Sequence, residues 1–181
     1  LGYISYLSDQ SHDFLLKKKI QGENYLAKQY LNNPKRLCDN LAENLRFLHE
    51  QNFEDCPILD HSERYLNKVE KNASIKHSNL DFVNNYNVRT TEEAYDYIEN
   101  KKLLLKNDTL LHGDYCLPNI ILDNWKFKGF IDLDCAGVGD RHIDLFWGAW
   151  TLNFNIGTDQ YRDRFFDAYG RDRIDVDRLK L

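Results

Sequence analysis

The sequence of 181 residues has no methionine, only three prolines and no long apolar segment. No apolar run reaches the roughly 18 to 20 residues that a membrane-spanning helix needs, and the chain does not open on a positively charged, signal-like segment. Acidic residues outnumber basic ones, 29 to 24, and the net charge of −5 argues against nucleic acid or an anionic membrane as the main partner. We therefore expect a soluble cytoplasmic protein that binds neither nucleic acid nor membranes, and whose charge suits a cationic small molecule.

The chain has four cysteines, and no two of them form a Cys-x-x-Cys pair. This spacing argues against both a disulfide framework and a ribbon-type zinc site, so we expect free, reduced thiols. One alternative remains open, a tetrahedral zinc site, although its ligand spacings are unlike the short pairs that most zinc sites use. Its ligands would be His112, Cys116, Cys135 and His142.

With 42% hydrophobic and 13% aromatic residues, the chain can bury one good core, so a single domain is expected. Two apolar segments around a polar turn predict a β-hairpin within residues 2–20. Leucines at helical spacing predict a helix from the cap Asn33 and the following proline to about residue 49. Thr90 and Glu93 have capping-box spacing and predict a helix to about residue 102. Further helices are predicted over residues 61–71, 144–154 and 159–169, the last capped by Thr158 and ended by Gly170, with a loop over residues 76–88.

Three polar residues, Asp114, Asn119 and Asp132, each adjoin a short apolar run that is typical of a buried strand. A tight turn over residues 123–126 joins two of these runs, so Asn119 and Asp132 are expected at the ends of neighbouring antiparallel strands. The order His112-x-Asp114-x-x-x-x-Asn119 suits phosphoryl transfer from a Mg-nucleotide, which needs a carboxylate to orient and deprotonate a hydroxyl and oxygen ligands for Mg²⁺. The sequence therefore predicts Asp114 as the catalytic residue and Asn119 and Asp132 as metal ligands.

Residues 112–119 (HGDYCLPN), 129–132 (GFID) and 137–141 (GVGDR) resemble the aminoglycoside phosphotransferases, the antibiotic-modifying branch of the protein-kinase-like fold. The resemblance implies an α+β fold with a mainly helical C-terminal lobe, short catalytic β-hairpins, and ATP or GTP as the phosphoryl donor. It also implies that Asp144 braces the catalytic loop and that His112 is a structural histidine steadying the same loop. Asp140 is either part of this support or an ordinary acid at the start of a helix.

The same resemblance divides the chain into two parts. Residues 1–21 would form the end of the small nucleotide-covering lobe and the hinge, where the backbone around Lys18, Lys19 and Ile20 would meet adenine. A solvated strand edge is the other interpretation of these lysines. Residues 22–181 would form the helical lobe with the catalytic and metal-binding loops. The sequence has neither the Gly-rich phosphate loop nor the strand lysine that grips the phosphates, so we expect a largely absent N-terminal lobe and a fragment of a longer kinase.

Family members place part of their substrate wall in the region of residues 76–102, where carboxylates would pair with ammonium groups of a cationic substrate. Acids on a helix are also commonly just a solvated face. The candidates are Asp81, Glu92, Glu93 and Asp96.

The segment Ile131-Asp-Leu-Asp-Cys135 departs from the Ile-Asp-Leu-Gly-Arg of close aminoglycoside kinases and lacks a basic residue near the phosphates. It is more similar to choline and methylthioribose kinases, in which a second carboxylate lies beside the metal. Asp134 is therefore either an additional Mg²⁺ ligand or a plain polar residue at a strand end.

The expected function is ATP-dependent phosphorylation of an aminoglycoside hydroxyl, which would give antibiotic resistance. One alternative is a kinase for another small molecule, such as choline or methylthioribose. The other is a non-catalytic binding protein with a kinase fold. The joint presence of Asp114, Asn119 and Asp132 argues against this last alternative, because a pure binding protein needs none of that geometry.

Overall fold

The computed structural model describes residues 3–75 and 88–181. Within these residues the chain combines six helices with three small antiparallel sheets. The strands are β1 (Tyr3–Ser8), β2 (Asp13–Lys17), β3 (Glu23–Asn24), β4 (Thr109–Leu111), β5 (Ile120–Asp123), β6 (Lys126–Phe130) and β7 (Gly137–Gly139). The helices are α1 (Lys28–Leu31), α2 (Pro34–His49), α3 (His61–Ser74), α4 (Thr91–Lys101), α5 (Arg141–Ile156) and α6 (Arg162–Tyr169). None of the helices in this described part is long and apolar enough to cross a membrane.

The N-terminal hairpin is formed by β1 and β2, which pair antiparallel with Leu7 opposite Phe14. Asp9 closes the turn between them, because its Oδ1 accepts hydrogen bonds from the N–H groups of Ser11 and His12, each at 2.8 Å. A side chain that binds its own turn backbone in this way is a common device of aspartate. The predicted hairpin is therefore confirmed.

Helix α2 supplies the centre of the hydrophobic core. Leu37, Leu41 and Leu45 recur on one face and are fully buried, and this face packs against α5 and α6. Burial of each such side chain contributes roughly 1.5–3 kcal/mol. The hydroxyl of Tyr115 donates to the carbonyl of Leu41 at 2.7 Å, which ties the core helix to the segment that follows β4. The leucine spacing thus predicted this helix correctly.

Two small sheets carry the segments with the predicted site residues. The central strand β5 pairs with β3 on one side and with β6 on the other, and β4 pairs with β7. The turn from β5 to β6 has positive φ at both central residues, Asn124 (50°) and Trp125 (69°). This is the geometry of a type I′ turn, whose twist matches that of antiparallel strands. The predicted tight turn over residues 123–126 is confirmed.

The other predicted helices are present with small differences in length. Helix α4 begins as the capping spacing predicted, since Thr90 Oγ1 accepts from the N–H of Glu93 at 3.1 Å. Helix α5 extends beyond residues 144–154 at both ends, because Asp140 caps its start and Gly157, with φ of 76°, ends it. Gly170 follows the last residue of α6, as predicted. The predicted loop over residues 76–88 lies outside the described residues except for its last position.

One predicted N-cap was wrong, and another is confirmed in position but makes no capping hydrogen bond. Helix α6 begins at Arg162 because the preceding residues form a separate turn, in which the N–H of Arg162 donates to the carbonyl of Asp159. The hydroxyl of Thr158 accepts a backbone N–H within that turn and caps no helix. Asn33 occupies the N-cap position of α2, but its amide donates to a carbonyl of α1 and leaves the first turn of α2 without a side-chain cap.

A buried carboxylate joins the start of α5 to the C-terminal segment. Arg178 donates to Asp140 Oδ2 through Nε at 2.8 Å and through Nη2 at 2.6 Å, while His142 donates to Oδ1 through Nδ1 at 2.6 Å. Burial alone would raise the pKa of Asp140, but the hydrogen bonds from His142 and Arg178 outweigh burial and hold that pKa below its ordinary value. The charged carboxylate is therefore part of the folded structure.

We expect Asp140→Asn to lower the free energy of unfolding by about 3 kcal/mol near pH 7, because it leaves a buried guanidinium without its countercharge. The lowered pKa of Asp140 means that this contribution is present above the unfolded-state pKa of about 4 and is lost as pH falls through the folded-state pKa. The difference in unfolding free energy between wild type and variant, measured by urea titration, should therefore shrink below about pH 4.

The matched control is Asp39→Asn, which removes another two-bond pair with an arginine. Arg164 donates to both oxygens of Asp39, at 2.7 and 2.6 Å, but the two side chains are 45% and 36% exposed. An exposed pair contributes at most about 1 kcal/mol. Equal losses at the two sites, or a difference that grows on acidification, would contradict the analysis of Asp140.

Candidate active site

The loop that follows β4 is held by one buried carboxylate. Asp144, in the first turn of α5, is fully buried and accepts hydrogen bonds from the backbone N–H groups of His112 and Gly113, each at 2.8 Å. Its Oδ2 also contacts Nε2 of His49 at 3.2 Å. Each carboxylate oxygen of Asp144 therefore fixes one backbone group of the loop, and the geometry of the loop depends on a helix that lies outside it.

His49 links this carboxylate to the core. The hydroxyl of Tyr169 lies 2.8 Å from Nδ1 of His49, opposite the Nε2 that faces Asp144. Burial lowers the pKa of His49 below its ordinary value, although Asp144 opposes this effect, so the ring is neutral near pH 7. A neutral ring with its proton on Nε2 donates to Asp144 and accepts from Tyr169. These contacts connect α2, α5 and α6 to the loop after β4.

Gly113 lets this loop approach the segment that follows β6. Its φ is 81°, a left-handed conformation that suits glycine. A Cβ at this position would overlap the carbonyl oxygen of Cys135, and it would lie 2.9 Å from the Cβ of the same residue. The two backbone segments can therefore meet this closely only because residue 113 has no side chain.

His112 bridges the same two segments through its ring. Nδ1 accepts the N–H of Asp114 at 3.3 Å, and Nε2 lies 3.0 Å from the carbonyl oxygen of Ile131. These partners require the tautomer with its proton on Nε2, because one nitrogen faces a donor and the other an acceptor. The side chain is fully buried. Since both of its ring nitrogens are engaged, His112 aligns the loop after β4 with the segment that follows β6.

Both oxygens of the Asp114 carboxylate accept hydrogen bonds that fix its orientation. Asn119 donates through Nδ2 to Oδ2 and to the backbone carbonyl of Asp114, each at 3.0 Å. The thiol of Cys116 lies 3.2 Å from Oδ1. Burial raises the pKa of Cys116, and the neighbouring carboxylate of Asp114 adds to this effect, so the sulfur keeps its proton and acts as a donor. Asp114 is therefore fixed in direction while it remains partly accessible.

Asp132 stands where β6 ends, beside Asn119. The N–H of Ile131 donates to the carbonyl of Asn119 at 2.9 Å, so the two residues lie on adjacent backbone. Asp132 has φ of 60°, a left-handed conformation that few residues other than glycine, asparagine and aspartate adopt. Such backbone conformations cluster at functional sites. Both Asp132 and Asp134 are exposed.

A cavity of about 630 Å³ contains these carboxylates. Its lining includes Asp114, Asp132 and Asp134, which we call the catalytic wall, and residues of α3, which we call the α3 wall. Sequence reasoning missed the α3 wall. The signal was present, because its lining residues recur at helical spacing on one face. They are His61, Arg64, Tyr65, Lys68, Val69 and Asn72.

The side-chain oxygens of Asn119 and Asp132 are suitable ligands for a magnesium ion. Since Asn119 donates through Nδ2, its Oδ1 is left without a hydrogen-bond donor among the described residues. Asp132 is exposed to water whereas Asn119 is buried, and a carboxylate and an amide oxygen on neighbouring strand ends match the preference of Mg²⁺ for few protein ligands and several waters. Residues 3–75 and 88–181 contain no group of three His, Cys, Asp or Glu side chains placed to hold a metal.

The histidines of the alternative zinc site are engaged elsewhere. Nδ1 of His142 contacts Asp140, and its Nε2 accepts the N–H of Asp175 at 2.9 Å. His112 uses both ring nitrogens on the backbone, and Cys116 donates to a carboxylate. A zinc site on these residues would require these contacts to break.

The acids predicted for substrate binding do not line this cavity where the structure describes them. Glu92, Glu93 and Asp96 lie on α4, which instead lines a second, mainly apolar cavity of about 190 Å³. The carboxylate of Glu93 accepts the N–H of Arg89 at 2.7 Å and so belongs to the start of the helix. Asp81 lies outside the described residues.

The predicted hinge residues lie between β2 and β3. Lys18 and Lys19 are exposed, whereas Ile20 is half-buried. The side chain of Ile20 packs over β6, where a Cβ added to Gly129 would come within 2.8 Å of its Cδ1. The structure thus brings Ile20, but neither lysine, towards the strand that leads to Asp132.

Sequence relatives match all or nearly all of this chain. A probable aminoglycoside 3′-phosphotransferase of Lactococcus lactis subsp. lactis (strain IL1403) is 96% identical over 181 residues, which are 100% of this chain and 69% of that protein. An aminoglycoside 3′-phosphotransferase of Niallia circulans is 31% identical over 172 residues, which are 93% of this chain and 64% of that protein. The chain thus spans about two thirds of the length of these relatives.

The family model described as the phosphotransferase enzyme family matches residues 1–181. An aminoglycoside phosphotransferase from Streptomyces rimosus, solved in complex with ADP and streptomycin, has a TM-score of 0.75 at 23% identity and is similar over 98% of this chain and 72% of its own. At that identity the likeness shows the fold. The chain belongs to the phosphotransferase enzyme family, and both the resemblance inferred from its motifs and the α+β fold are confirmed.

We expect Asp144→Asn to lower the free energy of unfolding by about 3 kcal/mol, because an amide NH₂ would then face one of the two backbone N–H groups. Amide hydrogen exchange at His112 and Gly113 should accelerate, since those groups lose an acceptor. The control is Asp114→Asn, where the new amide NH₂ also faces a donor, but the side chain is partly exposed and can bond to water, so stability should change by less than about 1 kcal/mol. Unchanged exchange at both amides in Asp144→Asn would refute the anchoring role.

Proposed function

We propose that the protein to which this chain belongs transfers the γ-phosphoryl group of ATP to a hydroxyl of an aminoglycoside and so gives resistance to it. The observation that carries this proposal is the position of Asp114, beside Asn119 and Asp132, at one cavity in a member of the phosphotransferase enzyme family. The names of the two relatives support the substrate class. Phosphorylation adds negative charge and bulk to a cationic drug, which spoils its fit to its target.

Asp114 is the residue that touches the acceptor. Its carboxylate orients the substrate hydroxyl and accepts the proton as the new bond to phosphorus forms. The contacts from Asn119 and Cys116 hold the carboxylate in one direction before substrate arrives, so little reorganisation is needed during the reaction. His112 and Asp144 act through the backbone of the loop and are positioning residues.

Asn119 and Asp132 are the proposed ligands of Mg²⁺, with Asp134 as a further ligand. When bound, the ion neutralises charge that develops on the phosphate oxygens. The left-handed backbone at Asp132 turns its carboxylate towards the cavity that it shares with Asp114 and Asp134. The exposure of Asp132 and Asp134 leaves room for the waters that magnesium retains.

The domain division supports the same assignment. Residues 1–21 would be the end of a nucleotide-covering lobe, with residues 18–20 as the hinge beside adenine, and residues 22–181 the lobe that carries the catalytic loops. The contact of Ile20 with Gly129 favours an apolar adenine site near β6. A cytoplasmic location remains a prediction, as does ATP over GTP.

A kinase for another small molecule is the second candidate, and it would use the same catalytic residues. Two observations favour it. Asp134 shares the cavity with Asp132, and none of the acids predicted to meet a polycationic drug that the structure describes lines this cavity. These features affect the acceptor and leave the reaction class unchanged, so the acceptor panel decides between the two candidates.

We expect the full-length protein to consume Mg-ATP with aminoglycosides that carry a free 3′-hydroxyl, and Asp114→Asn to reduce kcat by about 10²–10⁴-fold with little change in KM. Choline and methylthioribose complete the acceptor panel. The control is Asp123→Asn, an exposed acid at the far end of β5. Turnover of choline or methylthioribose alone would reject the antibiotic assignment, and an active Asp114→Asn variant would reject the catalytic role.

We expect Asp132→Asn to raise the magnesium concentration for half-maximal binding of Mg-ADP by roughly tenfold or more, because a neutral amide is a much weaker ligand than a carboxylate. Asp134→Asn should raise it less, since its role is additional. Titration calorimetry of the two variants with increasing Mg²⁺ measures both values. An unchanged magnesium requirement in Asp134→Asn would remove that residue from the ligand set.

A further inference from the structure

The wall of the active-site cavity formed by α3 has a charge opposite to that of the catalytic wall. Arg64 and Lys68 lie on one face of α3, one helical turn apart, and face the cavity that contains the carboxylates of Asp114, Asp132 and Asp134. The backbone segment from residue 129 to residue 140 contains no lysine or arginine. Positive charge from the protein therefore reaches this part of the cavity from α3.

The three basic side chains of this wall differ in availability. The guanidinium of Arg64 is held by the carboxylate of Asp60, with Nε 2.9 Å from Oδ1. His61 is buried, and burial lowers its pKa, so it carries no charge near pH 7. Lys68 is exposed and forms no ion pair with the residues that the structure describes. It is the cation of the α3 wall that a ligand can engage without breaking another contact.

Lys68 and the proposed metal ligands line the same cavity. The lining includes Lys68 from α3, Asp114 from the loop after β4, and Asp132, Asp134 and Cys135 from the segment that follows β6. Lys68 and the three carboxylates therefore share one space beside Cys135.

We propose that Lys68 is a phosphoryl-binding residue, whose ammonium group contacts the non-bridging oxygens of the γ-phosphoryl group on the side facing α3. This assignment rests on the proposed phosphotransfer. A phosphoryl group in transfer carries its charge on the equatorial oxygens. With three carboxylates nearby, those oxygens need cations on every open side, and Lys68 supplies one from α3.

The transfer itself is balanced without a covalent role for Lys68. The bond from the γ-phosphorus to the β,γ-bridging oxygen breaks, and ADP leaves with that electron pair. A bond forms between phosphorus and the acceptor oxygen, whose proton passes to Asp114. Lys68 stays protonated and lowers the energy of the charged oxygens throughout.

The test compares two nucleotides in the full-length protein. A non-hydrolysable ATP analogue with an imido link keeps the third phosphoryl group, whereas ADP lacks it. We expect Lys68→Gln to weaken binding of the Mg-imido analogue by roughly tenfold and to leave binding of Mg-ADP within about twofold, because a charge-assisted contact is lost only where the third group is present. Titration calorimetry measures both constants.

Two lysine variants serve as controls. Lys71→Gln removes an equal charge from an exposed position of α3 that does not line the cavity, and it should leave the ratio of the two affinities unchanged. Lys68→Arg keeps the charge and should retain most of the difference in affinity between the two nucleotides.

In the double variant Lys68→Gln with Cys135→Arg, a cation enters the same space from the segment that follows β6 and should restore part of the affinity for the imido analogue. An unchanged ratio in Lys68→Gln, or an equal change in Lys71→Gln, would overturn the proposal.

Turnover measured on the same preparations separates this proposal from the proposed function. If no aminoglycoside is phosphorylated but Lys68→Gln still selectively weakens the imido analogue, the acceptor assignment fails and the role of Lys68 stands. If aminoglycosides are phosphorylated but Lys68→Gln changes the affinities for the imido analogue and for ADP equally, the acceptor assignment stands and the role of Lys68 fails. Melting temperatures of the variants should match wild type, because Lys68 is exposed and its replacement opens no cavity.

Discussion

The hydrogen bonds from two consecutive backbone N–H groups to Asp144 are the constraint on which the rest of the site depends. A buried carboxylate is costly unless every oxygen is satisfied, and here the loop after β4 and His49 satisfy it. The requirement works in both directions. The helix α5 is stable with a buried acid only if the loop adopts this conformation, and the loop has this conformation only while α5 is docked.

The site has two kinds of parts, the catalytic loops, which are joined through the backbone, and the α3 wall, which belongs to a separate helix. Asp114, Asn119 and Asp132 stand on segments joined to one another by main-chain contacts, such as the bond from Ile131 to Asn119. The α3 wall belongs to a different element, with its own side chains exposed to the cavity. The catalytic residues are thereby tied to one another through the backbone, whereas the side chains of α3, Lys68 among them, reach the cavity from a separate element.

The sequence predicted those elements that depend on neighbouring residues, through the spacing of apolar side chains and the residue types at turns. The leucines of α2, the turn at residues 124 and 125 and the polar residues at the ends of β4 and β6 all followed from spacing and residue type. Thr158 misled because a hydroxyl can cap a turn as well as a helix, and here a separate turn precedes the start of α6 at Arg162. The α3 wall was missed because helical spacing shows that residues share a face of α3 but does not show that the fold places this face at the cavity of Asp132. The substrate role of the acids of α4 stays a prediction, since sequence gives their helix but not the cavity that the helix lines.

The close approach at Gly113 has a genetic consequence. Every amino acid other than glycine has a Cβ, and at this position that atom would overlap the carbonyl oxygen of Cys135. The conflict involves two backbones, so no change of rotamer elsewhere can relieve it, and the left-handed φ adds its own penalty to any replacement. Codon 113 is therefore expected to accept only synonymous change, whereas codons for exposed residues of α3 that do not line the cavity, such as Lys71, are free to drift.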